Sequence, residues 1–172
     1  HDLVEQLTLD YNYSHNGEFQ FHVDGWLAWM KEFSPTDLCP ELSVLGVTED
    51  GLPYGGTADL FAMIDGVGTV IDYKTSKTLS ESTVTLQMAA LANAETVPFE
   101  ISQAVALHLP RKFDADRLFK YKPKDDSSYA QYSRGFRAFT LEEKQIEDGW
   151  AVFSAARRLW QELYVHGVKK SL

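Results

Sequence analysis

A single cysteine, Cys39, stands among the 172 residues. That excludes an internal disulfide, a four-cysteine zinc site and an iron–sulfur cluster held by the chain's own thiolates. Any metal must be held mainly by oxygen and nitrogen. No run of apolar residues approaches the ~18 needed to span a bilayer, and no charged segment followed by an apolar one opens the chain. Neither a membrane span nor a secretory signal is therefore read, and a soluble intracellular protein is expected. Walker-type and Gly-x-Gly-x-x-Gly loops are absent, so no nucleotide cofactor is expected. There are no internal repeats and no low-complexity tract. The chain opens on His1 rather than methionine and reads as lacking its first residues.

Basic residues are scarce through most of the length. Residues 1–110 hold only Lys31, Lys74 and Lys77 against 16 acidic side chains, a net of −13. Residues 111–137 reverse this with eight basic and four acidic residues, and residues 138–172 are neutral, which leaves −9 for the whole. The acidity taken as one number argues against a nucleic-acid partner. Resolved along the chain, it describes an acidic body carrying one basic segment. With 44% hydrophobic and 13% aromatic residues, this length can bury one sizeable core, so a single domain over residues 1–172 is expected.

Leu3, Val4 and Leu7 have helical spacing over residues 1–9. Phe21, Trp26, Trp29, Met30 and Phe33 form the apolar face of a second helix, over 19–33, broken or entered near Gly25. Residues 41–48, 54–64 and 68–74 read as three strands, joined by turns at Glu49-Asp50-Gly51 and Asp65-Gly66, which makes an antiparallel meander. A helix over 81–95 capped by Ser80 follows, then a strand over 101–109 ending at Pro110. The Lys-, Pro-, Asp- and Ser-rich stretch near 122–128 reads as a loop or loose hairpin. Thr140 and Glu143 resemble a capping box ahead of an amphipathic helix bearing Ile146, Trp150, Phe153, Trp160 and Leu163.

The chemistry concentrates in residues 55–77, GGTADLFAMIDGVGTVIDYKTSK. Asp72 and Lys74 are two apart on an expected strand and so project from one face. Asp59 lies on the neighbouring strand, where cross-strand partners approach to about 5 Å. Two carboxylates so close repel unless a cation separates them, and an oxygen-rich site suits Mg²⁺ or Mn²⁺. A plain Asp72–Lys74 surface ion pair is the alternative. Against it, Val70, Ile71 and Tyr73 mark a buried strand, in which a polar pair needs a reason.

Gly56-Thr57-Ala58-Asp59, then Asp72-Tyr73-Lys74-Thr75-Ser76, then Gln87 on the following helix, resemble the core of the PD-(D/E)XK nuclease superfamily. The likeness is to its RecB-like branch, which includes the CRISPR-associated exonucleases and their phage relatives, and runs over about residues 41–95. It implies an α/β (α+β) restriction-endonuclease-like core, a central mixed sheet with an antiparallel meander flanked by helices. By the same resemblance Asp59 and Asp72 are metal ligands, the Tyr73 carbonyl is a further one, Lys74 is the catalytic lysine and Gln87 faces the site. The family's upstream His, followed by an apolar residue and Glu, is matched by His1-Asp2-Leu3-Val4-Glu5; the alternative is that His1 ends an affinity tag. Glu41 matches a Glu seen before the Gly-x-x-Asp strand and is either an outer ligand or a strand-edge charge.

Three departures stand out: Ala58 where the branch has Pro, Leu91 where relatives often have Tyr, and the absence of iron–sulfur cysteines. None removes a catalytic group. The resemblance implies a Mg²⁺- or Mn²⁺-dependent DNA nuclease without an iron–sulfur cluster, an exonuclease of recombination, repair or phage DNA processing. It would be cytoplasmic, in a bacterial cell or phage-infected host. Its partner would be DNA, with a recombination or helicase protein beside it; Thr75 and Ser76 and, from the basic segment rather than the resemblance, Lys120, Lys122 and Lys124 are candidate phosphate contacts, the alternative for that segment being a solvated charged loop. The alternative is a non-catalytic nuclease-fold module binding DNA or protein within a larger complex; a structure-specific endonuclease is a third reading.

Overall fold

Asp65 and Gly66 both take positive φ, 51° and 80°, the backbone that a two-residue primed hairpin turn requires. They join β2 (Pro53–Ile64) to β3 (Val67–Lys74). β1 (Thr36–Val47) runs antiparallel to β2, with Ser43 opposite Thr57 and Val44 opposite Gly56. The fold is described from a computed structural model, over residues 2–10, 17–76, 79–109 and 135–165.

After β3 the chain crosses over through α3 (Glu81–Ala92) and returns as β4 (Gln103–His108), parallel to β3 with Asp72 opposite Ala106 and Lys74 opposite His108. A helical crossover is the usual way of joining parallel neighbours. β5 (Arg137–Glu142) pairs antiparallel with β4 and completes a five-stranded sheet of order β1-β2-β3-β4-β5. The mixed sheet with its antiparallel meander is the architecture expected from the sequence.

The two faces bury different helices. On one, α1 (Asp2–Leu9) and α2 (Gln20–Phe33) supply Leu7, Val23, Trp26, Trp29 and Met30 against Leu60, Ile71, Tyr73 and Leu107. Trp26 and Trp29 are fully enclosed, as their place on the apolar face predicts. On the other, α3 and α4 (Glu143–Trp160) cover Phe61, Val70, Ala104, Ala106 and Leu141. α3 is apolar around most of its circumference because it is sandwiched between sheet and α4, burying Val84, Met88, Ala89, Ala90 and Leu91. Gly149 lets the two helices close in: a Cβ there would lie 2.9 Å from Ala89 Cβ and 3.0 Å from Thr85 Cγ2.

Several sequence expectations shift. β1 begins at Thr36, not 41, and includes Pro40, which an edge strand tolerates. α3 ends at Ala92. Ser80 occupies the N-cap position, but its hydroxyl pairs with that of Thr83 at 3.0 Å. Thr140 belongs to β5 and does not cap α4; the N-cap is Glu142, whose N–H donates to Gln145 Oε1 at 3.0 Å. Arg137, grouped by composition with the basic loop, also lies on β5, 3.8 Å from Glu81. Of the residues expected to anchor α4, Ile146 is buried, whereas Trp160 and Leu163 are about half exposed, at 50% and 45%. Among the described residues no helix is long and apolar enough to cross a membrane.

Candidate active site

The strands do not alternate strictly around Asp59. Ala58 and Phe61, three residues apart, both pack toward α3, and so do Leu42 and Cys39 on β1. Between these β1 residues, Glu41 takes a positive φ of 47°. Both strands thus roll over at one level of the sheet, and Asp59 sits at the roll. The β2–β3 ladder ends at Leu60 opposite Ile71. One step further on that register Asp59 faces Asp72, but there the ladder has opened. Asp59 Oδ2 instead accepts the Tyr73 backbone N–H at 2.6 Å. The carboxylate satisfies a donor that the parting strands leave behind.

Asp72 and Lys74 project from β3 toward α3, as their spacing predicts. Lys74 Nζ lies 2.6 Å from Asp72 Oδ2, and the side chains are 25% and 3% exposed respectively. Gln87, reaching down from α3, bridges the pair: its Nε2 donates to Asp72 Oδ1 at 2.8 Å and its Oε1 accepts from Lys74 Nζ at 3.1 Å. Burial of α3 against the sheet fixes the height of Gln87, since the neighbouring Met88 is fully enclosed. The ion pair is therefore not a surface pair; one amide locks its geometry.

Burial pushes the carboxyl of Asp59 above the usual carboxylate range, against the lowering influence of the Tyr73 N–H and the Lys74 charge. Burial does the same to Asp72; the Lys74 ammonium and Gln87 amide oppose it, and the charge of Asp59 adds to it. Two neighbouring carboxylates, Asp72 buried and Asp59 half-buried, each costly to ionise, form an environment that a cation would relieve.

Tyr73 turns to the opposite face and is buried beside Trp26 and Thr8. Its phenol is raised by that burial and, further, by the negative charge of Asp59 and Glu41. Glu41 thus acts on the Tyr73 side. Among the described residues no three His, Cys, Asp or Glu side chains converge as a metal set; the structure brings together the pair Asp59 and Asp72. The donor set nonetheless fits a hard cation: two carboxylates, with a positive nitrogen already on Asp72 Oδ2, an atom that otherwise has no well-angled hydrogen bond. His1, Lys120, Lys122 and Lys124 lie outside the described residues.

Thr75 and Ser76 follow β3 exposed at the rim. The Ser76 carbonyl lies 2.6 Å from Nε2 of the buried His108, which anchors the exit of β3 to β4. The sequence offers His108 only as a surface or core residue without ligand spacing; the contact itself was not legible, because the partner is a backbone atom 32 residues away. Sequence reasoning also missed a cavity of about 360 Å³ beside Gln87, walled by Tyr54, Gly55, Gly56, Leu91 and Phe153. The paired glycines inside a strand were the available signal, since such glycines mark close approach.

No protein-family model and no curated protein matches the chain. Among solved structures, the crystal structure of SSO0001 is similar at a TM-score of 0.44 and 15% identity, over 84% of this chain and 58% of that one. The chain thus spans less than two thirds of SSO0001, and a likeness of this degree has no bearing on function.

Proposed function

We propose that the chain is a divalent-metal-dependent deoxyribonuclease that hydrolyses phosphodiester bonds as an exonuclease, of the RecB-like PD-(D/E)XK kind its motifs resemble. The observation that carries this reading is the buried Asp72 beside the half-buried Asp59, with Lys74 locked to Asp72 by Gln87. A salt bridge kept only for stability gains little from such burial, whereas phosphoryl chemistry needs these groups held still in a dry site.

Asp59 and Asp72 would hold Mg²⁺ or Mn²⁺, with the Tyr73 carbonyl and His1 as further ligands by resemblance. Bound there, the cation supplies charge neutralisation at the scissile phosphate and acidifies water. The chain's own groups do the remainder. Lys74, a quarter exposed, faces both the carboxylates and solvent, so its ammonium can orient the attacking water and donate to the phosphate oxygen on which charge accumulates. Gln87 positions Lys74 and holds Asp72 through separate atoms of one amide. Thr75 and Ser76, at the rim, can meet the flanking phosphates. The chain would act in the cytoplasm, on DNA, beside a recombination or helicase partner.

Lys74→Ala tests the reading. Cleavage of linear DNA in Mn²⁺ is expected to fall by about 100-fold or more, with the fold intact by circular dichroism, and EDTA is expected to abolish wild-type cleavage. Full activity in Lys74→Ala would sink the assignment.

A further inference from the structure

The cavity beside Gln87 has no part in the chemistry described above, yet it shares Gln87 with it. Gln87 forms one wall, and the same amide holds Asp72 and Lys74. Leu91 and the Phe153 ring supply apolar surface. Phe153 is held from two sides, by Trp150 at 5.7 Å in a stacked arrangement and by Tyr54 at 5.1 Å edge-on. Tyr54 is itself fixed by donating its hydroxyl to the Ala90 carbonyl at 3.0 Å. Burial and the charge of Glu95 push its phenol up to about 12, so it remains a neutral donor. Gly55 and Gly56 are exposed along the floor, and a Cβ at Gly56 would lie 3.2 Å from Leu91 Cδ2, against the slot's apolar wall.

We infer that this cavity is a nucleobase slot, holding the base of a nucleotide next to the scissile phosphate. The inference rests on the nuclease reading and extends it to substrate recognition. Three features of the cavity and its surroundings point to this occupant. The volume lies within the range of small-ligand sites. An apolar lining with a fixed aromatic ring suits the flat face of a base, which stacks with little regard to sequence. The charge suits a nucleotide: Gln87 lines the slot and its Oε1 accepts from Lys74 Nζ at 3.1 Å, so a cation stands close by for the attached phosphate. A base that enters must leave its stack, so duplex DNA would have to fray first.

The test uses the full chain, Mn²⁺ and a single-stranded oligonucleotide carrying one abasic site, with the cleavage rate read at each bond. Phe153→Leu keeps an apolar side chain and removes the ring; its thermal unfolding confirms that it is folded. Wild type is expected to cut the bond beside the abasic site roughly 5- to 100-fold more slowly than the same bond in intact DNA. Phe153→Leu is expected to cut intact DNA more slowly and to lose most of that discrimination. Equal wild-type rates at abasic and intact positions would overturn the slot and leave the nuclease reading standing. Discrimination by Phe153→Leu as strong as that of wild type would also overturn it. Absence of cleavage of either DNA would remove the nuclease reading and the slot together.

Discussion

Replacing Gln87 by Leu separates the two hydrogen bonds that hold the site. Lys74 loses an acceptor at 3.1 Å, but it is 25% exposed and water can take that place. Asp72 loses a donor at 2.8 Å and, at 3% exposure, has little access to water. The cost therefore falls on Asp72. A hydrogen bond to a charged group contributes about 1.5–3 kcal/mol, from which the added apolar contact of Leu subtracts a fraction. For a domain of this size that corresponds to a fall in melting temperature of roughly 3–12 °C, readable by calorimetry on metal-free protein. Gln87→Glu supplies the sharper control, since it keeps an acceptor for Lys74 and sets a second carboxylate against Asp72. The like charge raises the carboxyl pKa values in the folded state, so its deficit should be largest at neutral pH and shrink on acidification. Melting temperatures of both variants within about 1 °C of wild type at neutral pH would refute the bridging role of Gln87.

Asp59→Asn should stabilise the metal-free protein at neutral pH, because the carboxyl is raised by burial and Asn keeps an oxygen for the Tyr73 N–H. The sign follows from proton binding: a carboxyl raised on folding makes the folded state the better proton acceptor, so wild type gains stability as pH falls through the raised value. The advantage of Asp59→Asn should accordingly fade under acid in a pH series of thermal melts; an advantage that grew under acid would contradict it. Gly149→Val should destabilise by about 1–3 kcal/mol through overpacking against Ala89 and Thr85, and because α3 carries Gln87, its cleavage rate should fall as well. Urea midpoints and activity measured on the same preparation check both.

The meander and its turns were legible because they rest on local chemistry: an Asp-Gly turn requires little beyond its own backbone, and β3 carries the β-branched and aromatic residues Val67, Thr69, Val70, Ile71 and Tyr73. Asp72 and Lys74 were legible for a similar reason, as strand parity places them on one face, whereas Gln87 came from the family resemblance and not from its helix's own pattern. The roll of β1 and β2 at Glu41 and Asp59 was not, since it depends on how two strands twist as they leave β3. Pro40 obscured the start of β1, although an edge strand has room for it. β5 was hidden because Thr140 and Glu143 imitate a helix cap, and pairing with β4 overrides that local preference. Helical periodicity correctly gave α4 an apolar face, but periodicity does not say where the sheet beneath it ends; Trp160 projects past it. The slot joins Tyr54 to Phe153, far apart in sequence, and only tertiary packing reveals it.

The central claim is that Asp59 and Asp72 together bind the cation that hydrolysis requires. It is tested most directly by titrating Mn²⁺ into an assay of linear DNA cleavage, with wild type and the Asp59→Asn/Asp72→Asn variant compared. Wild-type cleavage should rise from nothing to saturation with added Mn²⁺, while the folded double variant stays at the metal-free baseline throughout. A double variant that reaches the wild-type plateau, or wild-type cleavage that ignores Mn²⁺, would contradict the account.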